Sequence, residues 1–216
     1  MFRPQLLKTI SILIFVACCP HVFAGEIITM HTQDRVKGDD GTYQVEQKLT
    51  QWDADKTAII VCDMWDQHWC KGATSRVGEM APRMEQVLNN ARDKGVLIIH
   101  APSSTMGFYE NSKQRKKAQH ANTSPMPSKD GWRHLGDAEG PLPIDDSDGG
   151  CDDWPACQNV DGRVWSRQID TLTIDKRDLI SDNGQEVYNI LEAKGRDNVI
   201  VMGVHVNMCV LGRPFS

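Results

Sequence analysis

The stretch Asn198–Cys209, NVIVMGVHVNMC, decides the fold and points to the chemistry. Its start, Asn198–Met202, predicts a buried strand; Gly203 and a tight turn follow, and the turn ends on Cys209. In α/β proteins such turns lie at the carboxyl edge of a parallel sheet, where these folds keep their sites. If a helix begins at the turn, its N-terminus favours the thiolate, which is the reactive form of cysteine. The stretch therefore predicts a cysteine nucleophile, provided that the rest of the chain supplies a base and a stabilising cation.

Outward from this stretch, apolar strands alternate with amphipathic helices. The pattern predicts strands at 56–63, 96–100, 171–175 and 198–202 and helices at 80–94 and 184–193, the helices ending at Gly95 and Gly195. This alternation predicts an α/β fold with a mostly parallel sheet covered on both faces. Residues 25–55 are expected to form a polar lead-in with one short strand at 43–45. The aperiodic segment 101–165 is expected to be an insertion that folds over the carboxyl edge and shapes a pocket.

Length and charge narrow the class of protein. A chain of 216 residues favours one domain with a sizeable core, here residues 56–216. The formal net charge of −5 argues against a nucleic-acid partner. A small-molecule substrate is expected instead.

Few residues follow Cys209, and we therefore expect a chain truncated at its carboxyl end. Assembly of the chain into a homo-oligomer is possible.

The first residues are predicted to be an export signal rather than part of the fold. Basic residues precede the apolar run 9–18, and Val22-Phe23-Ala24 fits cleavage before Gly25. The run is shorter than the roughly 20 residues that a membrane-spanning helix needs. Residues 1–24 therefore predict a periplasmic or secreted protein, with a lipid anchor on Cys18 as the alternative.

Five cysteines lie beyond the predicted signal. An odd number leaves at least one free thiol in an oxidising compartment. Cys151 and Cys157, close together in a polar loop, are the disulfide candidates. Cys62 is predicted to be an inert core residue, which leaves Cys70 and Cys209 as candidate free thiols. No ligand spacing typical of zinc is present, and the acidic loop 145–153 carries only a fragment of a calcium-loop pattern, so no metal site or cofactor is predicted.

Three residues of complementary chemistry follow predicted strands. Asp63 ends the strand 56–63, Lys176 follows 171–175, and Cys209 follows 198–202, so all three are expected at one edge of the sheet. Asp63 would take the thiol proton of Cys209, and the Lys176 ammonium would stabilise both the carboxylate and the developing thiolate. Backbone N–H groups of the turn 204–209 would hold the oxyanion. Four further side chains are expected to line the pocket: Trp65, His68, Trp69 and His100.

Two motifs and a lysine resemble a known family. Ile59–Met64 (IIVCDM), a lysine before a helix and Gly203–Val210 (GVHVNMCV) occur in the order found in isochorismatase-like cysteine hydrolases, which include nicotinamidases and N-carbamoylsarcosine amidase. The resemblance runs from residue 56 to the end of the chain, apart from the insertion. It implies a three-layer α/β/α sandwich and a catalytic triad of Asp63, Lys176 and Cys209. It also implies a cis peptide between Val204 and His205, with the backbone amides of His205 and Cys209 as the oxyanion hole.

The chain departs from the family pattern at three places. Val206 stands where the family usually has threonine, and Trp65–Trp69 replaces the common Gln-Asn-Asp-Phe. The second strand lacks the Asp-x-His metal pair of nicotinamidases, which disfavours that activity. We therefore expect a hydrolase that cleaves a small amide or ureide C–N bond through a thioester. The alternatives are a vinyl-ether hydrolase of the isochorismatase type and a catalytically inactive domain that binds a small ligand.

Overall fold

The computed structural model describes residues 25–126, 131, 151, 153–159 and 162–215. The predicted export signal and most of the acidic loop 145–153 lie outside these residues. Within the described ranges, no helix combines the length and the apolar character needed to cross a membrane.

The lead-in is an antiparallel hairpin rather than a polar segment with one short strand. Strands β1 (Ile27–Lys37) and β2 (Tyr43–Asp53) pair along their whole length, and the turn closes where Gly38 N–H donates to Thr42 C=O at 2.8 Å. Most side chains on both strands are exposed. The start of β2, Tyr43-Gln44-Val45-Glu46, shows the alternation of apolar and polar residues by which a strand is recognised, and the short strand predicted at 43–45 lies there.

A parallel sheet forms the centre of the molecule and confirms the predicted α/β class. Its strands are β3 (Thr57–Cys62), β4 (Leu97–Ala101), β5 (Leu179–Ile180) and β6 (Asn198–Gly203), in the order β5-β4-β3-β6. All the pairings are parallel. Every residue of β3 is buried, as expected for a central strand covered on both faces.

Helices cover both faces of this sheet. They are α1 (Lys71–Asp93), α2 (Met106–Tyr109), α3 (Lys113–Gln119) and α4 (Gly184–Lys194). Because successive side chains of a strand point to opposite faces, Ile59 packs with Leu88 of α1 and Ile60 packs with Ile190 of α4. The helix predicted from Met80 begins earlier, at Lys71, because its first turns carry polar and small residues that give no apolar periodicity.

The predicted strand 171–175 is absent, and this changes the position of Lys176. A turn at 170–171, in which Leu172 N–H donates to Ile169 C=O at 3.1 Å, leads into residues 173–175, which have no regular secondary structure. The third strand of the sheet is instead β5, at Leu179–Ile180. Lys176 therefore precedes a strand instead of following one.

A buried ionic network holds β5 to α1 and β4. Arg92 Nη2 lies 2.8 Å from Asp178 Oδ2, and both side chains are almost fully buried. His100 Nε2 lies 3.0 Å from the same oxygen, and its Nδ1 lies 2.8 Å from Gln168 Oε1. His100 was predicted to line the pocket, but its side chain is fully enclosed and both ring nitrogens have partners, so its role here is structural.

We expect Asp178→Asn to lower the free energy of unfolding by about 3–5 kcal/mol, because Arg92 would keep its charge in the interior without a carboxylate. Urea unfolding followed by circular dichroism measures the loss. The matched control is Asp170→Asn, which removes an exposed ion pair with Arg167 and should cost at most about 1 kcal/mol. Equal losses in the two variants would contradict the prediction.

Candidate active site

Asp63 lies at the carboxyl edge of the sheet, directly after β3. Its backbone N–H donates to Ala101 C=O at 3.1 Å, which continues the pairing with β4. Its side chain is fully buried, and Oδ1 accepts a hydrogen bond from Ser103 N–H at 2.7 Å. A buried carboxylate is costly unless its remaining lone pairs are also satisfied. This position of Asp63 is the one predicted from the sequence.

The end of β6 brings the cysteine turn against β3. Gly203 pairs with Cys62, and a Cβ on Gly203 would lie only 1.9 Å from the Cys62 carbonyl oxygen, so only glycine fits. The peptide between Val204 and His205 is cis, at the position that the family resemblance implies. A short, wide helical turn, Val206–Val210, follows and carries Cys209. Cys209 is buried, and its thiol donates a hydrogen bond to the Asp63 carboxylate.

The cation at this site is Arg213. Its Nε and Nη2 donate to Asp63 Oδ2 at 3.1 and 2.9 Å, and Nη2 lies 3.8 Å from Cys209 Sγ. Arg213 N–H also donates to Cys209 C=O at 3.1 Å, so the two residues are one helical turn apart. An arginine four residues after a cysteine in a predicted helix is the sequence signal that would have found it.

The structure does not bring Lys176 to this site. Lys176 is exposed, and its carbonyl oxygen accepts a hydrogen bond from Lys117 Nζ at 3.2 Å. It comes before the amino end of β5, and in a parallel sheet the amino ends lie at the edge opposite to Asp63. The predicted grouping of Asp63, Lys176 and Cys209 is therefore replaced by a grouping of Asp63, Arg213 and Cys209.

Burial controls the protonation of the thiol. Removal from water, followed by the charge and hydrogen bond of Asp63, raises the pKa of Cys209 to about 12, and Arg213 opposes this rise. The sequence predicted that a helix N-terminus would favour the thiolate of Cys209, and in the folded chain this prediction is wrong. Cys209 rests as a neutral thiol at physiological pH, and a base has to remove its proton during any attack.

Aromatic rings form the walls of a narrow cleft beside Asp63. Trp65 stacks on Trp165 with ring centroids 4.2 Å apart, His68 lies parallel to Trp165 at 5.6 Å, and His205 meets His68 edge-on at 5.2 Å. Trp65, His68 and His205 line the same cleft as Asp63. Burial lowers the pKa of His68 to about 4 and also lowers the pKa of His205. Both imidazole rings are therefore uncharged at neutral pH.

Of the predicted pocket residues, Trp65 and His68 line this cleft, whereas Trp69 lines a neighbouring one with Gln67. Trp165, which the sequence patterns did not single out, packs against the apolar cluster that contains Trp65 and Cys209. The sequence did not identify Trp165 because it lies at the end of the insertion, where the apolar residues follow no period that would mark a buried face.

Two buried polar atoms close to this site have no hydrogen-bond partner among the described residues. They are the hydroxyl oxygen of Ser103, whose backbone N–H binds Asp63, and the indole Nε1 of Trp165. A buried polar group without a partner costs roughly 1–3 kcal/mol. Neither Ser103 nor Trp165 lines the cleft, so a polar ligand would have to widen it to satisfy these two atoms.

The predicted disulfide between Cys151 and Cys157 is not formed. Both are free thiols, and Cys157 Sγ donates to Asp153 Oδ2 at 3.1 Å. The carboxylate between the two cysteines in sequence attracts the thiol protons, so the sulfurs turn toward Asp153 instead of pairing with each other.

A larger cavity, of about 600 Å³, opens elsewhere on the molecule. Arg92, Lys117, His120 and Arg177 are among the residues that line it, and neither Asp63 nor Cys209 does. If cavity volume were the only criterion, the active site would be assigned to this cavity. The convergence of acid, thiol and guanidinium favours the smaller cleft as the site of chemistry.

Comparison with known proteins agrees with this geometry. The family model of the isochorismatase domain matches residues 57–213, a range that begins at β3 and includes Asp63, Cys209 and Arg213. A search of curated proteins and a search of solved structures each found no match. Proteins of this superfamily are generally hydrolases, and the four-stranded parallel sheet with helices on both faces is consistent with their fold. The match covers most of the chain, and the protein therefore belongs to the isochorismatase family.

Proposed function

We propose that this protein is a cysteine hydrolase that cleaves a C–N bond in a small amide or ureide. The observation that supports this most directly is the buried Asp63 carboxylate, which contacts both the Cys209 thiol and the Arg213 guanidinium at the end of a cleft. The three groups supply a nucleophile, a base and a cation, which is the set that thiol-based acyl transfer requires.

The first half of the reaction forms a thioester. Asp63 takes the proton of Cys209 while the sulfur attacks the carbonyl carbon, because the high pKa of the thiol leaves little thiolate before attack. The carbonyl oxygen becomes an oxyanion, for which the backbone N–H groups of His205 and Cys209 are the proposed donors. The protonated Asp63 then gives its proton to the leaving nitrogen, the C–N bond breaks, and the amine departs.

The second half of the reaction hydrolyses the thioester and releases the carboxylic acid product. Asp63, again a carboxylate, takes a proton from a water molecule that attacks the thioester carbon. The C–S bond breaks, and Cys209 recovers the proton from Asp63. Arg213 stays charged throughout and stabilises the Asp63 carboxylate whenever it is ionised.

The cleft encloses only about 10 Å³, so a substrate has to widen it, and its walls favour a small and uncharged molecule. Trp65 lines it together with His68 and His205, and both histidines are neutral at physiological pH. Once the cleft widens to reach them, the Ser103 hydroxyl and the Trp165 N–H, which have no partner among the described residues, can hydrogen-bond to the oxygen and nitrogen atoms of an amide or ureide group. A site built to bind polar groups rejects analogues that lack them.

The decisive experiment looks for the thioester. The protein is mixed with a panel of small primary amides and ureides, quenched in acid, and examined by intact mass spectrometry. We expect release of the amine and an acyl adduct on the peptide that carries Cys209, which hydroxylamine removes. The variant Cys209→Ala should show neither product.

Two outcomes would contradict this proposal. Full turnover of the panel by Cys209→Ala would indicate hydrolysis that needs no thiol. Binding of panel compounds by calorimetry, with no amine released by the unaltered chain, would indicate a ligand-binding domain.

A further inference from the structure

A second group of reactive side chains lies at the start of α1. Three cysteine sulfurs surround one carboxylate: Cys157 Sγ lies 3.1 Å, Cys70 Sγ 3.5 Å and Cys151 Sγ 4.0 Å from Asp153 Oδ2. The sulfurs of Cys70 and Cys151 and an oxygen of Asp153 all lie within 4.8 Å of one another. We call Cys70, Cys151, Asp153 and Cys157 the thiol cluster.

The first turn of α1 is built around this cluster. Three successive backbone N–H groups point into it: Lys71 donates to Cys157 Sγ at 3.5 Å, Gly72 to Asp153 Oδ2 at 2.8 Å and Ala73 to Cys70 Sγ at 3.4 Å. N–H groups directed at sulfur and carboxylate stabilise these ligands in their anionic forms, as outer-shell partners do in metal sites. A Cβ on Gly72 would lie 2.5 Å from Asp153 Oδ1, so glycine leaves room for the carboxylate in its present position.

The spacing of the donor atoms suits one small, soft divalent cation. A sulfur and an oxygen bound to the same tetrahedral zinc ion, at roughly 2.3 and 2.0 Å, are about 3.5 Å apart. The three sulfur–oxygen distances in the thiol cluster, 3.1, 3.5 and 4.0 Å, lie around that value. Cys70, Cys151 and Asp153 form a compact group of three ligands, and Cys157 lies outside this group but 3.1 Å from the same Asp153 oxygen. With Cys157 drawn in as the fourth ligand, the set is typical of a structural site that leaves no position open for substrate.

We propose that Cys70, Cys151, Asp153 and Cys157 bind a structural zinc ion. Four anionic ligands exceed the charge of zinc by two, and the positive end of α1 helps to offset this excess. Arg76, one turn further along α1, adds a positive charge that acts on Asp153. Sequence spacing gave no zinc signal because Cys70 is far along the chain from the other three ligands.

The zinc ion would fasten the insertion to the wall of the active-site cleft. The loop 151–157 supplies three ligands, and the fourth, Cys70, follows the aromatic segment that begins at Trp65. Cys70 N–H donates to His68 Nδ1 at 3.2 Å, and His68 lies parallel to Trp165. Fixing Cys70 therefore fixes the position of His68 and, through it, one side of the cleft.

Metal analysis of the full-length chain, purified without chelator, tests this proposal. We expect about one zinc ion per chain, with affinity at least about tenfold weaker in Cys151→Ser and in Cys157→Ser. Cys209→Ser is the matched control, since it removes a buried thiol outside the thiol cluster and should keep its zinc. This readout needs no substrate, so it does not depend on the proposed hydrolase activity.

Two further measurements keep the test valid if a variant folds poorly. Cobalt added to the metal-free, unaltered chain should produce the strong near-ultraviolet absorption of thiolate-to-cobalt charge transfer. Thiol titration in denaturant with chelator should find all five cysteines outside the predicted signal reduced. A chain that takes up neither metal, or a disulfide mapped between any two of Cys70, Cys151 and Cys157, would overturn the proposal.

Discussion

Asp63→Asn is expected to lower kcat by about 10²–10⁴-fold while making the Cys209 thiol more reactive. The rate falls because an amide cannot accept the thiol proton. The reactivity rises because the carboxylate charge and its hydrogen bond to the thiol both raise the pKa of Cys209, and both disappear in the variant. Arg213 is then no longer balanced by an acid and lowers the pKa of Cys209 further. Alkylation of Cys209 by iodoacetamide at mildly alkaline pH, followed by peptide mass spectrometry, should therefore be faster than in the unaltered chain.

Opposite changes in turnover and alkylation separate the role of a base from a structural role. A variant that had only lost its packing would expose all its buried cysteines. Cys62 is therefore the internal control, because it is fully buried and should stay unalkylated in the folded variant even though Asp63 also acts on its pKa. Asp170→Asn makes the same chemical change at an exposed acid and should leave both readouts unaltered. Slower alkylation of Cys209 in Asp63→Asn would contradict the assigned electrostatics.

Arg213→Met is expected to reduce kcat/KM by about 10²-fold and to lower the free energy of unfolding by about 3–5 kcal/mol. Both effects come from the fully buried Asp63, whose Oδ2 accepts hydrogen bonds from Nε and Nη2 of Arg213. Without the cation the carboxylate is poorly compensated, and the pKa of Cys209 rises further. Urea unfolding and steady-state kinetics on the substrate found by the amide panel measure the two losses.

Arg213→Lys should recover part of both losses, because the charge returns while the paired N–H geometry does not. Arg177→Met, which removes an exposed arginine paired with Asp175, is the matched control and should change stability by at most about 1 kcal/mol. If Arg213→Met keeps full activity, the guanidinium is not the cation of the reaction, and the grouping with Asp63 and Cys209 is only structural.

Several features could be predicted from the sequence because they depend on short-range patterns. The apolar runs that became β3 and β6 are continuous, so they are recognisable as buried parallel strands without knowledge of their neighbours. Chain direction then places the residues after each strand at one edge of the sheet, which located Asp63 and Cys209. The helix at α4 and its stop at Gly195, which adopts a left-handed conformation, follow from the same local rules.

Other features were predicted wrongly because they depend on packing. Lys176 was assigned to the site through a strand at 171–175, but the short pairing that forms β5 lies further along and is stabilised by the buried pair of Asp178 with Arg92. His100 lies near the carboxyl end of β4, as predicted, but it does not line the pocket because its ring is enclosed in that same network. The hairpin of β1 and β2 gave little periodic signal because most of its side chains are exposed, so few positions mark a buried face.

The sequence by itself determined the α/β class, the succession of the main strands along the chain and the edge of the sheet at which Asp63 and Cys209 lie. Only the tertiary structure decided that Arg213 is their cation, that the thiol rests protonated, and that three cysteines meet around Asp153. The physical reason is the distance along the chain over which each feature is determined. Strand and helix signals arise from neighbours within a few positions along the chain, whereas the partner of a charge and its removal from water are set by segments that meet only when the protein folds.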